Sequence, residues 1–321
     1  MTSFRRILFM LMVLFAVSTA MNAAAKEGDP LAEGGERHLN GHGFMPSVYL
    51  NDPFVATEFQ NHVGGGSASD LTATFVDQNG DELFSLQGDL FFAALGLGFQ
   101  QKLGSRWAAG GGITALVRSG SSASSFLVEG ADVDRNVGLW AKYRVTRGEK
   151  SQLSLGLDWT YSKVTYFTPG DFARYIADGG AIEDAPILIN TKIWTGRLVA
   201  NWAYAFSPGF AVRLNGEFGV YDEPETSGIY KGSHRVGVLG EYDLKASRLG
   251  WPVGITLGYT QNLPDDDPFT GLGGTLLGFW YTGKEEFVVG LETGAMKMNV
   301  VNQESSKVDA SFAIITLKYF F

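Results

Sequence analysis

Arg197, Glu217 and Arg235 are the residues whose types and spacing most invite a chemical role. Each falls within an alternating apolar–polar segment, and each occupies the polar set of that alternation. A hairpin closed at Ser207-Pro208-Gly209 sets Arg197 opposite Gly219 and diagonal to Glu217, within reach of long side chains. Arg235, on the following segment, falls at a similar height. Arg213, Glu241 and Asp243 form a second layer nearer the turns, and Asp158 and Glu292 belong to the same polar face as Lys142, Arg144, Asn201 and Asn215. Two roles suit such a group. A polar cavity carrying both signs can select small polar or charged solutes as they pass. The same charges can instead pair as a brace that fills the interior.

Other chemistry finds less support. The chain has no cysteine, which excludes disulfides, thiolate metal sites and thiol catalysis. Of its four histidines, His38 and His42 have the spacing of two ligands on a helix, but their Gly-rich surroundings disfavour a helix. His234 follows Ser233, and adjacent strand residues point to opposite faces, so the two cannot act as nucleophile and base. Asp265-Asp266-Asp267 lacks the spacing of a calcium loop and reads as a solvated loop tip. Asp171 to Asp178, after Pro169-Gly170, reads as a short helix in a surface loop that lies over the mouth or folds inward as a constriction. Gly110-Gly111-Gly112 lies within a strand pattern and precedes no helix, which rejects a phosphate loop. No catalytic, metal or cofactor site is expected, and the chain is read as a non-enzyme.

The elements that position these residues are strands. Leu153, Leu155, Leu157, Trp159 and Tyr161 alternate with Ser154, Gly156, Asp158, Thr160 and Ser162, and Phe210, Val212, Leu214, Gly216 and Phe218 alternate with Ala211, Arg213, Asn215 and Glu217. Period two marks a half-buried strand. The 42 glycines, the 23 Phe, 12 Tyr and 7 Trp, and a hydrophobic fraction of 45% fit sheets with one apolar and one polar face. Connections alternate between short turns (103–106, 147–150, 207–209, 245–250 and 282–285) and mostly longer, polar loops (119–132, 168–190, 222–228, 264–270 and 301–306).

The N-terminus carries Arg5 and Arg6, an apolar run from Ile7 to Val17, and Ala23-Ala24-Ala25 before Lys26. This is the pattern of a cleaved secretory signal over 1–25, with Ala20 as a second cleavage point. The apolar run is shorter than the roughly 20 residues of a membrane helix. Removing Arg5 and Arg6 leaves 23 basic residues against 34 acidic, a net charge of −11 that argues against nucleic-acid binding. At the other end, Ala313, Ile315, Leu317, Tyr319 and Phe321 share one face of a strand that stops on the last residue. An apolar edge left open invites aggregation, so this strand is expected to pair with the first and close a barrel.

The signal pattern, alternating strands, unequal connections and terminal Phe321 together resemble a bacterial outer-membrane β-barrel over the whole chain. The resemblance implies the outer membrane as location, short turns and both termini on the periplasmic side, and Ile315, Leu317, Tyr319 and Phe321 as the signal read by the barrel-assembly machinery. It implies contact with outer-membrane lipid and lipopolysaccharide. Transporters of hydrophobic compounds in this class often hold an N-terminal segment in the lumen.

Eleven strands are expected at 88–101, 106–118, 133–145, 151–166, 191–206, 210–222, 231–245, 251–263, 270–282, 286–300 and 307–321. Even strand counts are the rule, so a twelfth is sought in 55–66 or 70–77, before the Gln78-Asn79-Gly80-Asp81 hairpin turn; ten and fourteen strands are the neighbouring counts. The fold class is thus a closed antiparallel transmembrane barrel over 54–321. Residues 26–53 form either a periplasmic segment or a lumen plug. The functional expectation is a channel or transporter for small solutes through a charged lumen. A structural or surface-interaction barrel with a closed lumen, and then a lipid-modifying enzyme, are the alternatives.

Overall fold

The structure, a computed structural model, describes residues 37–76, 82–122, 130–167, 169, 172, 175–176, 179–181, 188–222, 230–247, 249–263, 273–299 and 307–321. A two-stranded hairpin, β1 (His38–Leu39) and β2 (His42–Gly43), comes first. Twelve long strands follow: β3 (Glu58–Val76), β4 (Glu82–Lys102), β5 (Trp107–Gly120), β6 (Ala131–Arg147), β7 (Ser151–Phe167) and β8 (Ile189–Ser207), then β9 (Phe210–Asp222), β10 (Tyr230–Asp243), β11 (Val253–Leu263), β12 (Gly273–Tyr281), β13 (Phe287–Asn299) and β14 (Lys307–Phe320). Each pairs antiparallel with its neighbours in sequence, and β14 pairs with β3 to close the barrel. The expected twelve strands are present, and the expected seam between last and first strand is the one that forms.

The two candidate first strands turn out to be one. β3 runs through both, with a register shift between Ala68 and Leu71. β14 stays paired with β3 only as far as Ala68, and β5 stays paired with β4 only as far as Leu90. Beyond those points β3 and β4 pair with each other alone, an extended hairpin standing past the rim. β4 therefore begins six residues earlier than alternation alone suggests. Glycine makes the seam possible: a Cβ at Gly64 or Gly66 would collide with the Ala313 or Ser311 carbonyl oxygen of β14.

Side chains sort by strand parity. Leu95, Leu139, Leu198, Phe218, Val236, Leu257, Phe279 and Ile315 are exposed on the outer face. Their strand neighbours point inward and are buried, including Arg213, Glu241, Glu292 and Asn201. An apolar exterior and a polar interior are what a barrel in lipid requires, since lipid solvates the one and the closed ladder satisfies the backbone. Aromatic residues line that face near the short turns, with Phe206 stacked on Phe210 and Phe287 against Tyr319.

Residues 37–57 lie inside the barrel. At the short-turn end the β1–β2 hairpin packs under the β8–β9 turn, where Gly41 approaches Pro208 and Asn40 donates to the carbonyls of Ala205 and Phe206. The chain climbs to an apex at Tyr49–Asn51 and descends to Thr57, whose carbonyl accepts from Phe321 N at 3.0 Å. The Asn40-Gly41 turn has φ of 49° and 77°, the left-handed pair that a two-residue hairpin needs.

Candidate functional site

The lumen residues form two layers around the N-terminal segment. In the lower layer, nearer the short turns, Arg213 and Glu241 face each other across β9 and β10 with side chains 1% and 0% exposed. They clamp one residue of the segment: Arg213 Nη2 donates to Met45 O, and Met45 N donates to Glu241 Oε2 at 2.7 Å. Glu292 takes the next stretch, accepting from Ser47 Oγ and from Val48 N, each at 2.7 Å. On the descending limb, Gln152, Lys142 and Gln100 donate to the carbonyls of Pro53, Phe54 and Ala56. The wall therefore binds the segment largely through backbone groups, which satisfies polar atoms that burial would otherwise strand.

Asp52 is the segment's own charged anchor. Its carboxylate meets Lys142 at 3.1 Å and Lys318 at 3.0 Å, and Lys318 also reaches Glu58 at 2.8 Å. Burial pushes the Asp52 carboxyl up, but Lys142 and Lys318 outweigh it and hold it well below the usual carboxylate range. Arg37 is buried against the Phe320 ring, its guanidinium carbon 3.5 Å from the centroid. Burial lowers its pKa to about 10, against the opposing charges of Glu58 and Asp52, so it stays a cation at neutral pH.

The upper layer surrounds the apex. Glu217 stands directly opposite Arg235 in the β9–β10 register and diagonal to Arg197, as expected from the hairpin at 207–209. It lies 3.9 Å from Arg197 and 4.0 Å from Arg235. Asn51 at the apex donates to both Asp158 and Glu217, and Arg235 donates to Tyr49 O. The two layers differ in solvation. The Arg197 and Arg235 side chains are 27% and 28% exposed, and Asn51 is exposed, whereas the Arg213–Glu241 pair is dry. The apex is thus solvent-accessible and the lower layer is not.

Asp243 falls outside this arrangement. It is the last residue of β10, and its Oδ1 accepts from Lys245 N and Thr282 Oγ1. Its donors come from the β10–β11 turn and from the residue after β12, so the carboxylate turns there and not toward Arg213. Asp265-Asp266-Asp267 lies outside the described residues, as does much of Asp171 to Asp178, where Phe172, Tyr175 and Ile176 carry helical backbone. His38 and His42 lie on the paired strands of the small hairpin, and His42 Nε2 lies 3.6 Å from Glu241. His234 stacks near Phe218 on the outer face, 5.6 Å between centroids. Among the described residues no group of His, Cys, Asp and Glu could hold a metal ion.

Two features escaped the sequence reading. The first is an apolar side to the lumen, in which Leu50 packs with Phe92, Leu239, Leu276, Phe312 and Ile314, with Tyr49 beside Phe312. The inward positions of β4, β12 and β14 mix Phe, Leu and Ile with Gly, which blurs the alternation. The second is the depth of the N-terminal segment. The Asn40-Gly41 pair was the available sign, a hairpin turn standing ahead of the first long strand.

The geometry defines a closed antiparallel β-barrel of twelve strands with an apolar exterior and an internal N-terminal segment. No protein-family model matches the chain, and no curated protein matches it. Among solved structures it is similar to an outer-membrane channel from Pseudomonas putida F1, with a TM-score of 0.53 at 16% identity, covering 87% of this chain and 100% of that one. It also matches the toluene transporter TbuX from Ralstonia pickettii, with a TM-score of 0.46 at 11% identity, covering 93% and 99%. The translocator domain of the autotransporter NalP from Neisseria meningitidis matches with a TM-score of 0.47 at 11% identity, covering 83% and 89%.

Proposed function

We propose that this protein is an outer-membrane channel for small solutes, with the long-loop end facing outward and the short turns and both termini facing the periplasm. Residues 37–57 act as a plug, and Arg197, Glu217, Arg235 and Asp158 form the constriction above it. The single observation that carries this reading is the step in solvation along the lumen: a wet charged ring over the apex of a segment that is held by hydrogen bonds. A solute arriving from the loop end meets partly exposed arginines, and Phe92 and Phe312, buried around Leu50, form an apolar wall that displacement of the apex would bare. That pairing favours molecules with an apolar body and a polar group. Ion pairs at 3.9 and 4.0 Å are loose enough for a passing polar group to compete.

Transport, and not catalysis, is the reading because the lumen offers binding groups without a nucleophile–base pair among the described residues. The likeness to the Pseudomonas putida channel supports the fold on which this reading rests. Purified full-length protein reconstituted in liposomes is expected to admit small amphiphilic solutes that empty liposomes exclude. Equal exclusion by both would leave the second reading, a closed structural barrel, which the dense wall contacts of residues 37–57 favour.

A further inference from the structure

The outer face of β6, β7 and β8 carries an arrangement that the lumen does not explain. Arg135, Lys163 and Lys192 stand directly opposite one another across these three strands. Arg135 and Lys192 are exposed and Lys163 is half-buried. Directly opposed residues have Cβ atoms about 5 Å apart, and like charges at that spacing repel. Among the described residues none of the three has an ion-pair partner. Asp222, at the end of the neighbouring β9, makes no such pair with Lys192. On the far side of the barrel a similar cation has an acid across from it in the register: Lys297 stands opposite Asp309. A row of three cations without an ion-pair partner among the described residues suits an external anion.

The rungs on either side say which kind. One rung nearer the short turns, Tyr161 and Trp194 pack together, 4.3 Å between centroids, and Trp159 packs on Trp194 at 4.7 Å. Below them the face becomes aliphatic, with Leu139 exposed. One rung nearer the loops it becomes polar, where Thr165 donates to Asn190. Aliphatic, aromatic, basic and polar rungs in that order reproduce the profile of a lipid leaflet from acyl chain to headgroup. The basic row therefore sits at the height of headgroup phosphates.

We infer that Arg135, Lys163 and Lys192 form a binding site on the outside of the barrel for a phosphorylated lipid, its phosphates on the basic row and its acyl chains against Trp159, Tyr161 and Trp194. Opposed cations that would repel one another become a three-pronged clamp once an anion lies between them. The site rests on the membrane barrel and its orientation, and not on what the lumen carries.

The test uses folded full-length protein and native mass spectrometry with bis-phosphorylated lipid A, the same lipid without its phosphates, and inorganic phosphate as competitor. Each basic residue near an anionic lipid surface contributes about fivefold, so the Arg135→Gln/Lys163→Gln/Lys192→Gln variant is expected to bind phosphorylated lipid A on the order of a hundredfold more weakly. The lipid without phosphates should bind wild type and variant equally weakly, and inorganic phosphate should not displace lipid A. If the triple variant does not fold, Lys163→Gln alone is read for its fivefold loss. Equal binding of phosphorylated lipid by folded variant and wild type overturns the inference, as does displacement by inorganic phosphate alone. Lipid binding that persists in a barrel without solute flux would remove the channel reading and leave this site standing.

Discussion

Arg213 and Glu241 pair across β9 and β10 and jointly hold one residue, Met45, by its carbonyl and its N–H. Neither side chain has meaningful exposure, so each relies on the other and on Met45, with His42 also beside Glu241. Removing one partner of such a buried pair costs about 3–5 kcal/mol, because the remaining charge is left in a dry site. Glu241→Ala should therefore unseat residues 37–57. Arg213→Met combined with Glu241→Leu should do so less severely, since no orphan charge remains. Hydrogen exchange at Met45 to Val48 measures the difference. Unchanged protection in Glu241→Ala would show that the clamp does not hold the segment.

The Asp52 anchor gives the segment a defined response to acid. Its folded carboxyl titrates well below the usual range, so its contribution is fully present above about pH 4 and is lost as pH falls through the depressed value. Residues 37–57 should stay protected at pH 5 and begin to release only below the ordinary carboxylate range. Asp52→Asn should release them at neutral pH, because Lys142 and Lys318 then face no carboxylate at that position. Protease susceptibility of the segment across pH checks both statements.

The upper ring sets charge preference if solutes pass it. Arg197→Gln with Arg235→Gln removes two cations and leaves Glu217 and Asp158, so reversal potentials in a salt gradient should move toward cation preference. Glu217→Gln should move them toward anions. Because the arginines are partly solvated, each change is expected to be modest, on the order of a severalfold shift in permeability ratio.

Much of the fold was legible because period-two alternation and turn chemistry are local signals. The Ser207-Pro208-Gly209 turn fixed the register of β8 and β9, and with it the positions of Arg197 opposite Gly219 and near Glu217. Phe321 pointed to a closing seam, and β14 closes on β3. The N-terminal segment was harder. Its contacts run largely through backbone atoms to residues distant in the chain, such as Met45 to Glu241, and no local pattern encodes them. Asp243 bonds at the strand end and not to Arg213, because parity gives the face of a side chain and not the donors waiting there. The apolar lumen wall around Phe312 and Leu276 was hidden because both faces of those strands are apolar.

If residues 37–57 act as a plug, solutes pass only once the segment leaves its seat. The chain has no cysteine, so an introduced pair reports without interference. Leu50 Cγ lies 3.2 Å from where a Cβ at Gly237 would sit, within reach of a disulfide. In planar bilayers, Leu50→Cys/Gly237→Cys should be silent when oxidised and should conduct at wild-type level after reduction. Equal conductance in the two redox states, with the cross-link verified, would contradict the claim and place the path elsewhere than past the segment's apex.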